Sequence, residues 1–294
     1  MDDAIRRRLT LNGELTTLLA KIGAEPAIFY QKAADDTDLP EQMYPQIIFS
    51  IDKYSDTQKG LAGVLTVDVI TTQMTSPPEP LERLIRSTLE GVFFRPTIGE
   101  IFSLKWQRTD IFTEPSSERM PLIIGATLTF DIYEYPSVET SAPDPIEALN
   151  YWASTFDKNL MVIGVTEFEE FFEPSREKPA IYFDIQKINN IVQKSEAVFV
   201  DVTINMHVFA PTVKARREWL TAIHNALLLR GYVWLSDDSP MRLIDSDYNW
   251  ATSEVEGQIK MTYNYGLLRK SEYAHTLMER DISFAKELRW QNDR

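Results

Sequence analysis

Three histidines, two clusters of carboxylates and no cysteine make up the reactive inventory of this 294-residue chain. Without cysteine there is no thiolate metal site, no disulfide and no sulfur nucleophile. His207, His224 and His275 are too far apart for an H-x₃-H pair, the helical spacing that places two imidazoles on one metal. His207 falls in an alternating stretch, Val202 to Phe209, where a strand-pairing or surface role is expected. His224 follows Ile223 on a helical pattern and is expected to face solvent or sit at a rim, and His275 sits in a polar tail. Glu167-Phe168-Glu169-Glu170 and Asp237-Asp238 offer paired carboxylates to a cation or to proton transfer. The plainer reading is a solvated helix face for the first and a turn, Ser236 to Pro240, for the second. Asp245-Ser246-Asp247 has the spacing that opens a calcium loop but lacks the loop's glycine and distal glutamate. There is no G-x-S-x-G elbow and no phosphate-cradling glycine loop in a chain with only 11 glycines. No catalytic residue, cofactor or metal ligand is expected, and the chain reads as non-enzymatic.

Charge narrows the partners. Asp and Glu outnumber Lys and Arg by 44 to 30, a net charge of −14. Nucleic-acid binders draw affinity from basic faces that displace counterions, so specific nucleic-acid binding is not expected. Phe168, Phe171 and Phe172 form an aromatic cluster, but stacking on bases accompanies basic charge, so core packing or subunit contact is the better account. No stretch is long and apolar enough for a membrane span, and the N-terminus lacks the apolar core of a signal peptide. The expectation is a soluble protein of cytoplasmic origin, with an N-terminal amphipathic helix burying Ile5, Leu9, Leu15, Leu18 and Leu19.

The elements repeat. Tyr44-Pro45-Gln46-Ile47-Ile48-Phe49-Ser50-Ile51-Asp52-Lys53 alternates apolar and polar residues after a proline, and so does Lys178-Pro179-Ala180-Ile181-Tyr182-Phe183-Asp184-Ile185-Gln186-Lys187. Pro, Ile, Phe, Ile and Lys coincide at an offset of 134. Period-2 alternation puts Ile47, Phe49 and Ile51 on one face, and Ile181, Phe183 and Ile185 on the matching one. A second strand follows in each half, through Val67-Asp68-Val69 and Val200-Asp201-Val202, at an offset of 133. Helical spacing then links Leu81, Leu84, Ile85, Thr88 and Leu89, and again Trp219, Leu220, Ile223, Ala226 and Leu227. Gly91 and Gly231 are the stop signals. Two closing strands follow in each half: Ile101 to Trp106 and Leu122 to Tyr133, then Met241 to Ile244 and Gly257 to Tyr265.

The predicted class is α+β: two tandem related domains, each a mixed or antiparallel sheet flanked by helices. Their bounds are 1–136 and 148–270, joined by a proline-rich linker over 137–147 and followed by a C-terminal helical extension over 271–294. The boundary is marked by the three prolines of the stretch Tyr135 to Pro145, which has no apolar periodicity.

Pro26-Ala27-Ile28-Phe29, a variable acidic loop, the Tyr44 to Phe49 strand, Leu65-Thr66-Val67-Asp68-Val69 and the Leu81 to Leu89 helix resemble the tail terminator proteins of tailed phages. These are also called tail completion or head–tail joining proteins. The resemblance covers residues 5–135, while the second half lacks an obvious copy of the Pro-Ala-Ile-Phe segment. It implies an oligomeric ring, hexameric in that family, that caps the head-proximal end of the tail tube and joins it to the neck. The implied partners are further copies of the chain, the tube protein, and neck, head-completion or sheath proteins. The implied location is the host cytoplasm during assembly and then the virion. Candidate assembly residues are Asp35, Asp36, Asp38, Lys53, Asp56, Lys59, Glu114, Glu118 and Arg119 in the hairpin loops, with Trp290 in the terminal segment. Competing readings are a collar, sheath-capping or baseplate component of a contractile particle, a soluble binding module, and an enzyme with a site between the halves. The enzyme reading requires a deep pocket with His207 or His224 beside Asp201.

Overall fold

The computed structural model describes residues 1–31, 43–54, 61–75, 77–115, 122–137, 143–194, 197–249 and 257–268. The fold is α+β.

The first half opens with α1 (Asp2–Leu11) and α2 (Gly13–Leu18), separated at Asn12, whose side chain accepts a hydrogen bond from the Leu15 N–H. That cap breaks the expected single helix. Ile5, Leu9, Leu15 and Leu19 are buried as expected, whereas Leu18 turns outward. A small hairpin, β1 (Lys21–Ile22) with β2 (Glu25–Pro26), leads into β3 (Ile28–Tyr30), β4 (Gln46–Lys53) and β5 (Leu61–Thr72). Then come α3 (Pro78–Leu89), β6 (Phe93–Phe94), β7 (Ile101–Glu114) and β8 (Ile123–Tyr135). Proline suits the first turn of α3 because its missing N–H would have no partner there. Leu81, Ile85 and Leu89 lie along its buried stripe.

The second half runs α4 (Pro145–Phe156), β9 (Met161–Val162), β10 (Phe171–Phe172), β11 (Ala180–Gln193) and β12 (Ala197–Phe209). It continues with α5 (Val213–Arg230), β13 (Tyr232–Trp234), β14 (Pro240–Tyr248) and β15 (Ile259–Leu268). Helix α5 starts at Thr212, which accepts from the Ala215 N–H, and stops at Gly231, whose φ of 71° is left-handed. Such a φ favours glycine because no Cβ meets the carbonyl. Helix α4 begins at Pro145, inside the stretch read as linker. The Asp144 carboxylate caps it by accepting from the Ile146 and Glu147 N–H groups.

The two sheets have one strand order. The first is β10-β6-β7-β8-β5-β4-β3 and the second β13-β14-β15-β12-β11-β9. With β10 set aside, the strands correspond one to one along both sheets. The outermost strand is parallel in each: Ile28 stands beside Ile47, and Val162 beside Ile181. Both residues of the second pair lie 134 positions after those of the first. So the second half does hold a counterpart of the Pro26 to Phe29 segment, in Leu160 to Ile163. Only the strand position is kept, not the residue types, which hid it from the sequence reading.

Each half has its own core. Ile5, Leu9, Phe49, Val67, Leu81, Ile85 and Phe130 fill the first; Leu149, Phe183, Val202, Ile204, Ile223 and Tyr263 fill the second. Each large apolar side chain removed from water contributes about 1.5–3 kcal/mol.

Candidate functional site

The junction between the halves is the most heavily built feature. After β9, residues 163–170 run through turns and bends, not the expected helix, and β10 then leaves its own sheet. It pairs antiparallel with β6 of the first sheet, Phe171 opposite Phe94 and Phe172 opposite Phe93. Adjacent strand residues point to opposite faces. Phe94 therefore enters the first core with Phe102 and Phe171, while Phe93 enters a third cluster. That cluster is the seam: Phe93 and Tyr135 from the first half meet Phe172, Tyr182 and Phe209 from the second. Three ring contacts across the seam are edge-on, among them Phe93–Phe209 at 4.9 Å and 84° and Tyr135–Tyr182 at 5.2 Å and 76°. This geometry sets a ring's positive edge against a negative face.

Polar contacts frame the seam. The Arg95 N–H donates to the Glu170 carbonyl at 2.9 Å, and the Arg95 guanidinium to the Phe168 carbonyl at 3.0 Å. Arg7 pairs with Glu170, and Arg8 with Glu173 at 3.1 Å. Arg8 also donates to the Thr88 carbonyl at 3.1 Å. The acidic cluster Glu167 to Glu170 thus belongs to a segment that crosses to the first half. The Tyr182 hydroxyl donates to the Pro136 carbonyl at 2.9 Å, and burial, then the Asp184 charge, push its pKa well up. A cavity of about 460 Å³ lies along the same junction, between Phe93, Ser103 and Tyr135 on one side and Phe209, Thr212 and Arg216 on the other.

The two histidines among the described residues, His207 and His224, are held by hydrogen-bond partners. His207, buried on β12, places Nε2 2.7 Å from the Asp184 Oδ1 on the neighbouring β11. Tyr182 stands opposite His207 and Asn205 opposite Asp184, so the pair is a diagonal cross-strand contact. Asp201, the partner that chemistry would have needed, instead accepts from Asn264 at 2.8 Å. His224 is half-buried, with its Nε2 3.0 Å from the Ser246 Oγ, and burial lowers its pKa. Ser246 lies within β14, so Asp245-Ser246-Asp247 is strand, not a calcium loop. Asp237-Asp238 does form a turn, with the Asp237 carboxylate accepting from the Ser239 N–H and Oγ. Among the described residues no group of three or more His, Asp or Glu side chains converges as a metal site.

The larger cavity, about 1040 Å³, lies in the second half between α4, the turn after β9 and the strand β13. Its walls include Glu147, Asn150 and Tyr151, then Val165, and Trp234 with Leu235. Neither His207 nor His224 lines it.

Of the candidate assembly residues, Lys53 and Glu114 are described, and the registers set them at opposite ends of the first sheet. Lys53 stands opposite Gly63 at the start of β5, while Glu114 stands opposite Ile123, which stands opposite Thr72 at its end. At about 3.3 Å per residue, that separates them by about 30 Å along the strands. Lys53, itself exposed, is 3.8 Å from the half-buried Glu134. Asp35, Asp36, Asp38, Asp56, Lys59, Glu118, Arg119 and Trp290 lie outside the described residues, as does the C-terminal segment 271–294. The sequence reading missed the seam itself. Its signal was the doubled aromatics, Phe93-Phe94 and Phe171-Phe172, which have nowhere to alternate within one sheet.

Among the described residues no helix is long and apolar enough to cross a membrane. No protein-family model matches the chain, and no curated protein matches it.

Proposed function

We propose that this protein is a non-enzymatic structural component of a phage or phage-like tail. In this reading it forms an oligomeric ring that caps the head-proximal end of the tail tube and joins it to the neck. The observation that carries the reading is the junction: two units of one strand order, fixed to each other by strand addition and an aromatic seam. A ring joint needs stiff units that meet at a constant angle, because head-to-tail contacts close only when the rotation per unit is fixed. A seam of interlocked buried rings supplies that stiffness, since packed interiors deform little. The net charge of −14 suits a wall past which DNA slides without sticking. His207 and His224 are each engaged by a partner on a strand, Asp184 and Ser246, which supports a role without catalysis.

The test is the mass of the purified protein by light scattering, negative-stain images of the same peak, and co-assembly with tail tubes. Rings that bind one end of a tube are the expected result. A protein that stays a single chain and fails to bind tubes overturns the reading.

A further inference from the structure

The cavity of about 1040 Å³ in the second half reaches the size of small-molecule sites. One face of α4 forms one side of it. Glu147, Asn150, Tyr151 and Ser154 follow each other at three, four and seven positions, so they share a stripe about 10 Å long. This stripe lies away from Leu149 and Ala153, which α4 buries in the core. Strand β13 and the turn after it supply another wall, with Trp234 and Asp238. Buried Ile163 and Phe183 also line the space.

Charge selects the ligand. Asp144, Glu147 and Asp238 line the cavity, and neither Lys nor Arg does. Asp144 is taken up in the cap of α4. Among the described residues, Glu147 and Asp238 enter no ion pair. A cleft lined by one sign of charge repels an anion and draws in a cation. Among the described residues these acids form no cluster that could hold a metal ion, which needs its ligands gathered around one point. An organic cation long enough to reach both walls can instead meet each carboxylate by a charge-assisted hydrogen bond. Trp234 and Tyr151, 48% and 71% exposed, place aromatic rings at the same walls, and a ring face attracts a cation.

Asn150 narrows the choice further. Its Oδ1 is buried and accepts no hydrogen bond from any described residue. Half a turn of the amide about its last bond exchanges Oδ1 with Nδ2, and a ligand N–H in the cavity then gives the oxygen its missing donor. A quaternary ammonium has no such N–H.

We propose that this cavity binds a linear diamine or polyamine. One ammonium group pairs with Glu147 and donates to Asn150, the other pairs with Asp238, and the alkyl chain lies along Tyr151 and Trp234. The inference goes beyond the tail reading and does not depend on it, since the site lies within one half of one chain.

The test is isothermal titration calorimetry of the full chain with 1,4-diaminobutane. Saturable binding of one molecule per chain is expected. 1-Aminobutane, with a single charge, and the bis-trimethylammonium analogue, with no N–H, are each expected to bind about ten-fold more weakly. The whole chain carries a net charge of −14 and attracts cations everywhere, so variants decide whether the binding is local. Glu147→Gln and Asp238→Asn, both at exposed positions, are each expected to weaken binding about five-fold or more, with folding checked by circular dichroism. Glu79→Gln removes the same charge from α3 in the first half and is expected to change nothing. No saturable binding at millimolar diamine, equal affinity for the three amines, or the same effect from all three variants overturns the inference. Each of these outcomes leaves the ring reading standing, because that reading is decided by particle mass and tube binding.

Discussion

Phe93 of the first half meets Phe209 of the second edge-on, with ring centres 4.9 Å apart, and both are buried. The contact belongs to neither core. Its loss falls on the joint between the halves more than on either half alone.

Phe93→Ala is therefore expected to destabilise the protein by about 3–5 kcal/mol, the usual range for emptying a buried phenylalanine site. Scanning calorimetry is expected to show the unfolding transition broadening or splitting as the halves lose their coupling. A variant that unfolds in one sharp transition at the parent temperature would show that the seam contributes nothing.

The ion pairs beside the seam are expected to matter far less. Arg7 and Glu170 are both substantially exposed, and so is Glu173. Exposed pairs contribute about 0–1 kcal/mol. Glu170→Gln and Glu173→Gln should each shift the urea midpoint only slightly, and the shift should shrink further in salt. Loss comparable to that of Phe93→Ala would contradict this division.

His224 gives stability a pH dependence of known sign. Burial lowers its folded pKa below the ordinary 6.5, so the unfolded chain binds the proton first as pH falls. Its contribution is present above 6.5 and is lost as pH falls toward the lowered folded value. His224→Gln should flatten that part of the stability profile, measured by urea unfolding across a pH series. An unchanged slope would mean that another group governs it.

At the alkaline end the tyrosines dominate. Burial raises Tyr182, Tyr263 and Tyr265, and pushes Tyr248 up to about 12, from an ordinary value of 10.0. Raised folded values mean stability that is full below 10.0 and is lost as pH rises beyond it. Ultraviolet titration of the phenols should show a late group ionising together with unfolding. Tyr263→Phe should remove one member of that group.

Much of the architecture was legible. The Pro-x-Ile-x-Phe-x-Ile pattern marked β4 and β11, and the glycines past α3 and α5 marked their ends. Asp144-Pro145-Ile146-Glu147 also carried a helix-start signal, an acidic cap followed by proline and then glutamate, which the run of prolines before it masked. The two-residue strands β6, β9, β10 and the three-residue β13 were not legible, because so short a segment has no period to read.

Alternation and helical spacing by themselves determined that two sheets would form, which faces would be buried, and where their main strands and helices would lie. These are local properties, fixed by where each side chain points relative to its own backbone. Only the tertiary structure decided that β10 joins the other sheet, that Glu170 and Glu173 pair with Arg7 and Arg8 of α1, and that His207 meets Asp184. Those outcomes depend on which edge and which face come together in space. Hydrogen-bonding edges and apolar rings are non-selective in one dimension and become specific only through shape.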